Sequence, residues 1–108
     1  MSNTKFTTGP WSYERNPQNT RWIIDSEPGH AIACTAGYEP DNEANAYLIA
    51  AAPELYEELI EARTTLSILR TQVMVEVNRG IERWEGVPEK LKERIDAVDA
   101  ALSKARGE

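Results

Sequence analysis

The sequence predicts an α+β fold: a small N-terminal antiparallel β-meander followed by a short helix and a long antiparallel helical hairpin. Three observations carry this expectation. Short runs rich in Trp, Ile and Tyr, separated by Pro/Gly/Asn turns, fill the first forty residues. An alanine-rich segment with a proline inside it follows at Asn42–Leu59. Beyond it, apolar residues recur at alternating steps of four and three, the spacing of helices that pack along a seam.

In order along the chain, Gly9-Pro10 is a turn signal and Trp11–Arg15 a strand candidate. Trp22, Ile23 and Ile24 within Thr20–Asp25 suit a half-buried pleated surface. Ser26-Glu27-Pro28-Gly29 is a tight turn, and His30–Thr35 the return strand. So small a sheet must lay one face on helices. Asp41 or Asn42 can cap a helix over 43–52. Pro53 lacks an amide hydrogen, which suits the first turn of a fresh helix, expected over Pro53–Glu85. Its predicted seam is Leu55, Leu59, Ala62, Leu66, Leu69 and Val73. After Gly86 and Pro88, a last helix over 88–106 repeats the spacing with Leu91, Ile95, Val98, Leu102 and Ala105. The longer helix outreaches its partner, so part of its stripe is expected to be covered by another subunit, and the chain is read as a homo-oligomer.

At 108 residues the chain suffices for one domain with a modest core, and residues 1–108 are read as that. The net charge of −6 divides evenly, −3 from residues 1–52 and −3 from residues 53–108. Direct nucleic-acid binding, which needs a concentrated basic patch, is therefore not expected. Nor is a membrane role, since no apolar run reaches the length of a span and the N-terminus has no signal-peptide core. A single cysteine excludes an internal disulfide framework and fits a reducing cytoplasm.

Catalysis needs a positioned nucleophile, base or metal, and no such constellation is legible, so neither an enzyme nor a cofactor is expected. His30 and Cys34 could share a strand face as a dyad. A solvated turn histidine and a small buried thiol fit better, because nothing in the sequence orients the pair. The glutamates at 54, 57, 58 and 61 read as a solvated face at a helix N-terminus. A binding function is more legible. Trp11, Tyr13, Trp22, Tyr38, Tyr47 and Tyr56 precede or open the long helix, with Arg15 and Arg21 among them. Aromatic faces with guanidinium forks suit a planar anionic ligand or a protein hot spot. For Trp11 and Trp22 themselves, the core of the small sheet is the better-fitting reading. Arg21, Trp22, Tyr38, Asn45 and Arg63 are the candidate ligand-binding residues, Asn45 because a polar amide amid alanines must point inward to backbone groups or read a ligand.

Thr8-Gly9-Pro10-Trp11, then Ala44-Asn45-Ala46 and Leu48–Leu55 (LIAAAPEL), resemble small tailed-phage and prophage proteins that open with T-P-G-P-W and continue as A-N-A-x-L-I-A-A-A-P-E-L-L. Thr8 stands where that pattern has its first proline, and Tyr56 where a second leucine is common. The resemblance covers about the first sixty residues and implies a phage accessory protein that acts by binding. The inferred plan also resembles the anti-Thoeris sponges, which implies sequestration of a nucleotide-derived immune signal. A host defence protein, bound in the manner of an anti-CRISPR, is the alternative partner.

Overall fold

The computed structural model describes residues 6–18, 21–27, 30–35 and 41–108. It is an α+β fold in the expected order: β1 (Ser12–Arg15), β2 (Trp22–Glu27), β3 (His30–Cys34), α1 (Asn42–Ala50), α2 (Ala52–Asn78), a 3₁₀ turn (Glu82–Trp84) and α3 (Val87–Ala105). The three strands form one antiparallel sheet in the order β1-β2-β3. By its contacts the chain divides into two compact units, Met1–Leu55 and Tyr56–Glu108, with the division inside α2.

In the first unit one sheet face is set by alternation. Trp22 and Ile24 on β2, Tyr13 opposite Ile24 and Ala33 opposite Ile24 share it. Helix α1 covers this face with its smallest side chains. Ala46 and Ala50, four apart, are buried with Ile24, and Trp11, Trp22, Ala33 and Ile49 pack around them. Trp11 and Trp22 thus belong to the core. Small residues at the contact allow the helix axis to lie close to the sheet. Gly9 extends the same contact: a Cβ there would lie 2.7 Å from Cβ of Pro53, closer than two carbons can sit. The two sequence signatures, Thr8–Trp11 and Ala44–Leu55, are therefore the two sides of one packed interface. Beyond the strands, Thr35 is buried; its hydroxyl accepts the Trp22 N–H at 3.0 Å and its own N–H bonds the Trp22 carbonyl at 3.0 Å.

The joint between α1 and α2 is Ala51, whose N–H bonds the Tyr47 carbonyl while its carbonyl accepts from Leu55. Pro53 sits in the first turn of α2, where its missing N–H leaves no acceptor unsatisfied. Asp41 occupies the N-cap position of α1 without a side-chain capping bond.

In the second unit α2 and α3 form an antiparallel hairpin, pinned at both ends and the middle. Arg106 Nη1 donates to Tyr56 Oη at 3.2 Å, Arg63 to Asp99, and Arg70 Nε to the Pro88 carbonyl at 3.2 Å. Two expectations need correction. The long helix stops at Asn78 rather than Glu85, because Gly80 adopts φ +87°. Ile81 N–H then bonds the Glu76 carbonyl and Gly80 N–H that of Val77, which closes the last turn. The seam is also rotated. Leu59, Leu66 and Val73 face inward as expected, but Leu55, Ala62 and Leu69 are exposed. Tyr56, Arg63, Arg70 and Val77, spaced by seven, take the inward places. The long side chains of Tyr and Arg cover apolar surface with their stems while their polar tips reach partners on α3 and at its start. On α3, Leu91, Ile95, Val98 and Leu102 form the inward stripe, with Ala105 exposed.

Candidate functional site

Within the first unit, Arg21, Trp22 and Asn45 do not share one surface. Trp22 lies on the helix-covered face of the sheet. Arg21 lines a shallow groove of about 350 Å³ with Asn16, Ile23, Ile32 and Cys34. Ile23 and Cys34 are cross-strand partners one step out of phase with Ile24, so this groove lies on the opposite face from the Trp22 ring. Asn45 is exposed on α1, on the side away from Ala46 and Ala50, so its amide does not point inward. Arg63 belongs to the second unit. Its fork grips Asp99 through Nε and through Nη2 at 3.1 Å, and its Nη1 reaches Ser67 Oγ at 3.4 Å. Tyr38 lies outside the described residues.

What does converge in the first unit is a cluster of three rings. Tyr13 and Tyr47 approach to 4.7 Å between centroids with a 49° tilt. Trp22 meets Tyr13 at 5.9 Å and Tyr47 at 6.1 Å, edge to face in both cases, the geometry that ring quadrupoles favour. Trp22 is half-buried beneath, whereas Tyr13 and Tyr47 remain 47% and 43% exposed. The Tyr47 hydroxyl donates to Glu43 Oε1 at 2.7 Å, one helical turn earlier. That bond, more than partial burial, raises the Tyr47 phenol above its ordinary value. It also fixes the ring's tilt. Arg15, which is exposed, is the cross-strand partner of Trp22 and stands on the same face of the sheet. The alternation Tyr13/Arg15 and Trp22/Ile24, with Glu43 and Tyr47 four apart, is the pattern in the sequence from which this cluster could have been found.

The expected turn histidine is exposed, its Nδ1 2.7 Å from Glu27 Oε1. Cys34 departs from expectation: the thiol is exposed, not buried, because its place on β3 turns it to the sheet face away from α1. His30 and Cys34 stand at opposite ends of the strand, four residues or about 13 Å apart, too far for a dyad. Among the described residues no three His, Cys, Asp or Glu side chains gather as a metal site would require.

The second unit carries a groove of about 510 Å³ alongside α2, lined by Leu69, Gln72, Val73, Val75, Glu76, Arg83 and Trp84. The Arg83 guanidinium lies over the Trp84 ring, 5.5 Å from its centroid. Among the described residues no helix is long and apolar enough to cross a membrane.

No curated protein and no solved structure matches the chain. A family model described as Salmonella phage P22 protein Y8K6 matches residues 1–108, and the protein belongs to that phage protein family.

Proposed function

We propose that this phage protein acts by binding rather than by catalysis, in the host cytoplasm, and counters host antiviral defence by sequestering a nucleotide-derived signal. The observation that carries this reading is the Tyr13–Trp22–Tyr47 cluster, whose two outer rings keep nearly half their surface open beside Arg15. Exposed tyrosines held in place by a half-buried tryptophan and a carboxylate form a stacking surface for a base. An adjacent guanidinium can take up a phosphate. Isothermal titration of the full chain against cyclic nucleotides, cyclic dinucleotides and cyclic ADP-ribose isomers tests it. Stacking contributes about 1–3 kcal/mol per base, so Tyr13→Ala or Tyr47→Ala should weaken binding roughly tenfold or more. Absence of heat with every ligand would sink the reading.

A second reading makes the partner a host defence protein, and a separate observation favours it. Ile68, Leu69 and Val75 stand 56%, 44% and 45% exposed on the hairpin, a surface suited to protein contact. A second copy of the chain competes for that surface, so oligomeric state separates the two cases.

A further inference from the structure

We infer that a second copy of this chain docks antiparallel on the outward face of α2 and completes the groove beside Trp84. The inference is independent of any ligand at the aromatic cluster. It begins from the rotated seam. With Leu59, Leu66 and Val73 turned inward, the hairpin leaves Ala62, Thr65, Ile68, Leu69, Gln72 and Val75 on the outside of α2. Their spacing of three and four is that of a second helix-packing face. The groove at one end of this face is lined on its helix side by Leu69, Gln72, Val75 and Glu76, reaches in to Val73, and is walled by Arg83 and Trp84. α3, the helix paired with α2, lies on the other side.

Charge decides both occupant and orientation. Glu57, Glu58 and Glu61, all exposed, precede the face; Arg79 and Arg83, also exposed, follow it among Glu76, Glu82 and Glu85, so that end is mixed in charge where the first is purely acidic. A parallel copy would set acidic turn against acidic turn. An antiparallel copy, with its two-fold axis near Ile68 and Leu69, sets the acidic turn of each chain beside Arg79 and Arg83 of the other. It places Ala62 against Val75, small against large, and Thr65 against Gln72. Arg79 already lies 3.6 Å from Glu76, which offsets the carboxylate that would otherwise meet Glu61. Opposed helix dipoles favour the same orientation. In extent, the face from Glu58 to Asn78 runs about 30 Å. Two such faces in contact bury on the order of 1,200 Å², the lower end of a specific interface. The groove then receives a helix with Ala62 and Thr65 at its contact, and Glu58 of the second copy approaches Arg79.

Sedimentation velocity on the full chain across the micromolar range is the first test. A species of twice 12.1 kDa is expected, and Leu69→Asp, at an exposed position, should shift the dissociation constant at least a hundredfold while circular dichroism stays unchanged. Orientation is read by disulfide trapping in a Cys34→Ser background. Thr65→Cys with Gln72→Cys on separate chains should cross-link, and Thr65→Cys alone should not. Glu58→Lys should weaken the dimer about tenfold, and Arg79→Glu in the same chain should restore it. A chain that stays monomeric throughout, or a dimer indifferent to Leu69→Asp, would overturn the proposal. Cross-linking through Thr65→Cys alone would overturn the antiparallel arrangement.

Discussion

The two units hold themselves together by different means. Residues 1–55 rely on contact between apolar surfaces, a sheet face of Ile24, Trp22 and Ala33 closed by two alanines of α1, with Gly9 against Pro53. Residues 56–108 rely on a thinner apolar stripe crossed by three polar pins, Arg106 to Tyr56, Arg63 to Asp99 and Arg70 to the Pro88 carbonyl. The first kind of packing tolerates little change of volume. The second tolerates change of volume at the surface but depends on the ionisation of Asp99. The difference teaches where each unit is open to partners: the first at the margin of its ring cluster, the second along the face of α2 that its pins leave outward.

The largest effect should come from the centre of the first unit. Ile24 is fully buried, and Ile24→Ala leaves a cavity between sheet and helix worth about 2–5 kcal/mol. In so small a core that is most of the stability available. Near-ultraviolet circular dichroism of Trp11 and Trp22, measured in a Trp84→Phe background, should lose its folded signature. Preserved dichroism would mean that the sheet–helix contact is not what holds this unit. Gly9→Ala tests the same contact by addition. A Cβ at 2.7 Å from that of Pro53 forces one of them to move, costing about 1–3 kcal/mol by overpacking. The effect should be read as a lowered denaturation midpoint with an unchanged slope.

Next in size is a pair that distinguishes the faces of α2. Val73 is buried and Leu69 is not. Val73→Ala should destabilise the hairpin by about 1–3 kcal/mol through lost burial. Leu69→Ala, measured under dilution, should stay within about 0.5 kcal/mol of the parent. Equal losses would restore the seam that simple periodicity suggests.

That pair also marks what was legible in the sequence. Apolar alternation and turn residues located all three strands, and the proline and alanine content located where each helix begins. The end of α2 was not legible from periodicity, because Val77, Ile81 and Trp84 carry the spacing past the point where Gly80 turns the chain. Which leucines face inward was not legible either. A four-three pattern that includes Leu55, Ala62 and Leu69 is indistinguishable, residue by residue, from one that includes Tyr56, Arg63 and Arg70, until the partner helix supplies Asp99 and the Pro88 carbonyl. The ring cluster was half legible. Its residues stood out as aromatics, but their grouping depends on which strand register brings Tyr13 opposite Ile24 and Arg15 opposite Trp22.

The smallest effect concerns the middle pin and is the one that separates the two units by pH. Asp99 is held below its ordinary 3.8, first by the hydrogen bonds from Arg63, against a smaller opposing effect of partial burial. A carboxylate whose folded pKa is depressed contributes stability that is fully present above its unfolded pKa and is lost as pH falls through the folded one. The hairpin should therefore weaken below about pH 4. The pair is more than one-third exposed on both sides, so solvent screens it, and the change is a shallow acid limb rather than a collapse. Asp99→Asn should lower the thermal midpoint by a few degrees at neutral pH and remove this component of the acid limb. Arg63→Lys, which keeps the charge but not the two-pronged geometry, should retain part of it. Helical signal followed between neutral pH and pH 2 reads the effect. If the acid limb of Asp99→Asn matches that of the parent, the pin is ornamental and the apolar stripe of Leu59, Leu66 and Val73 holds the hairpin alone, which would make the two units alike in kind.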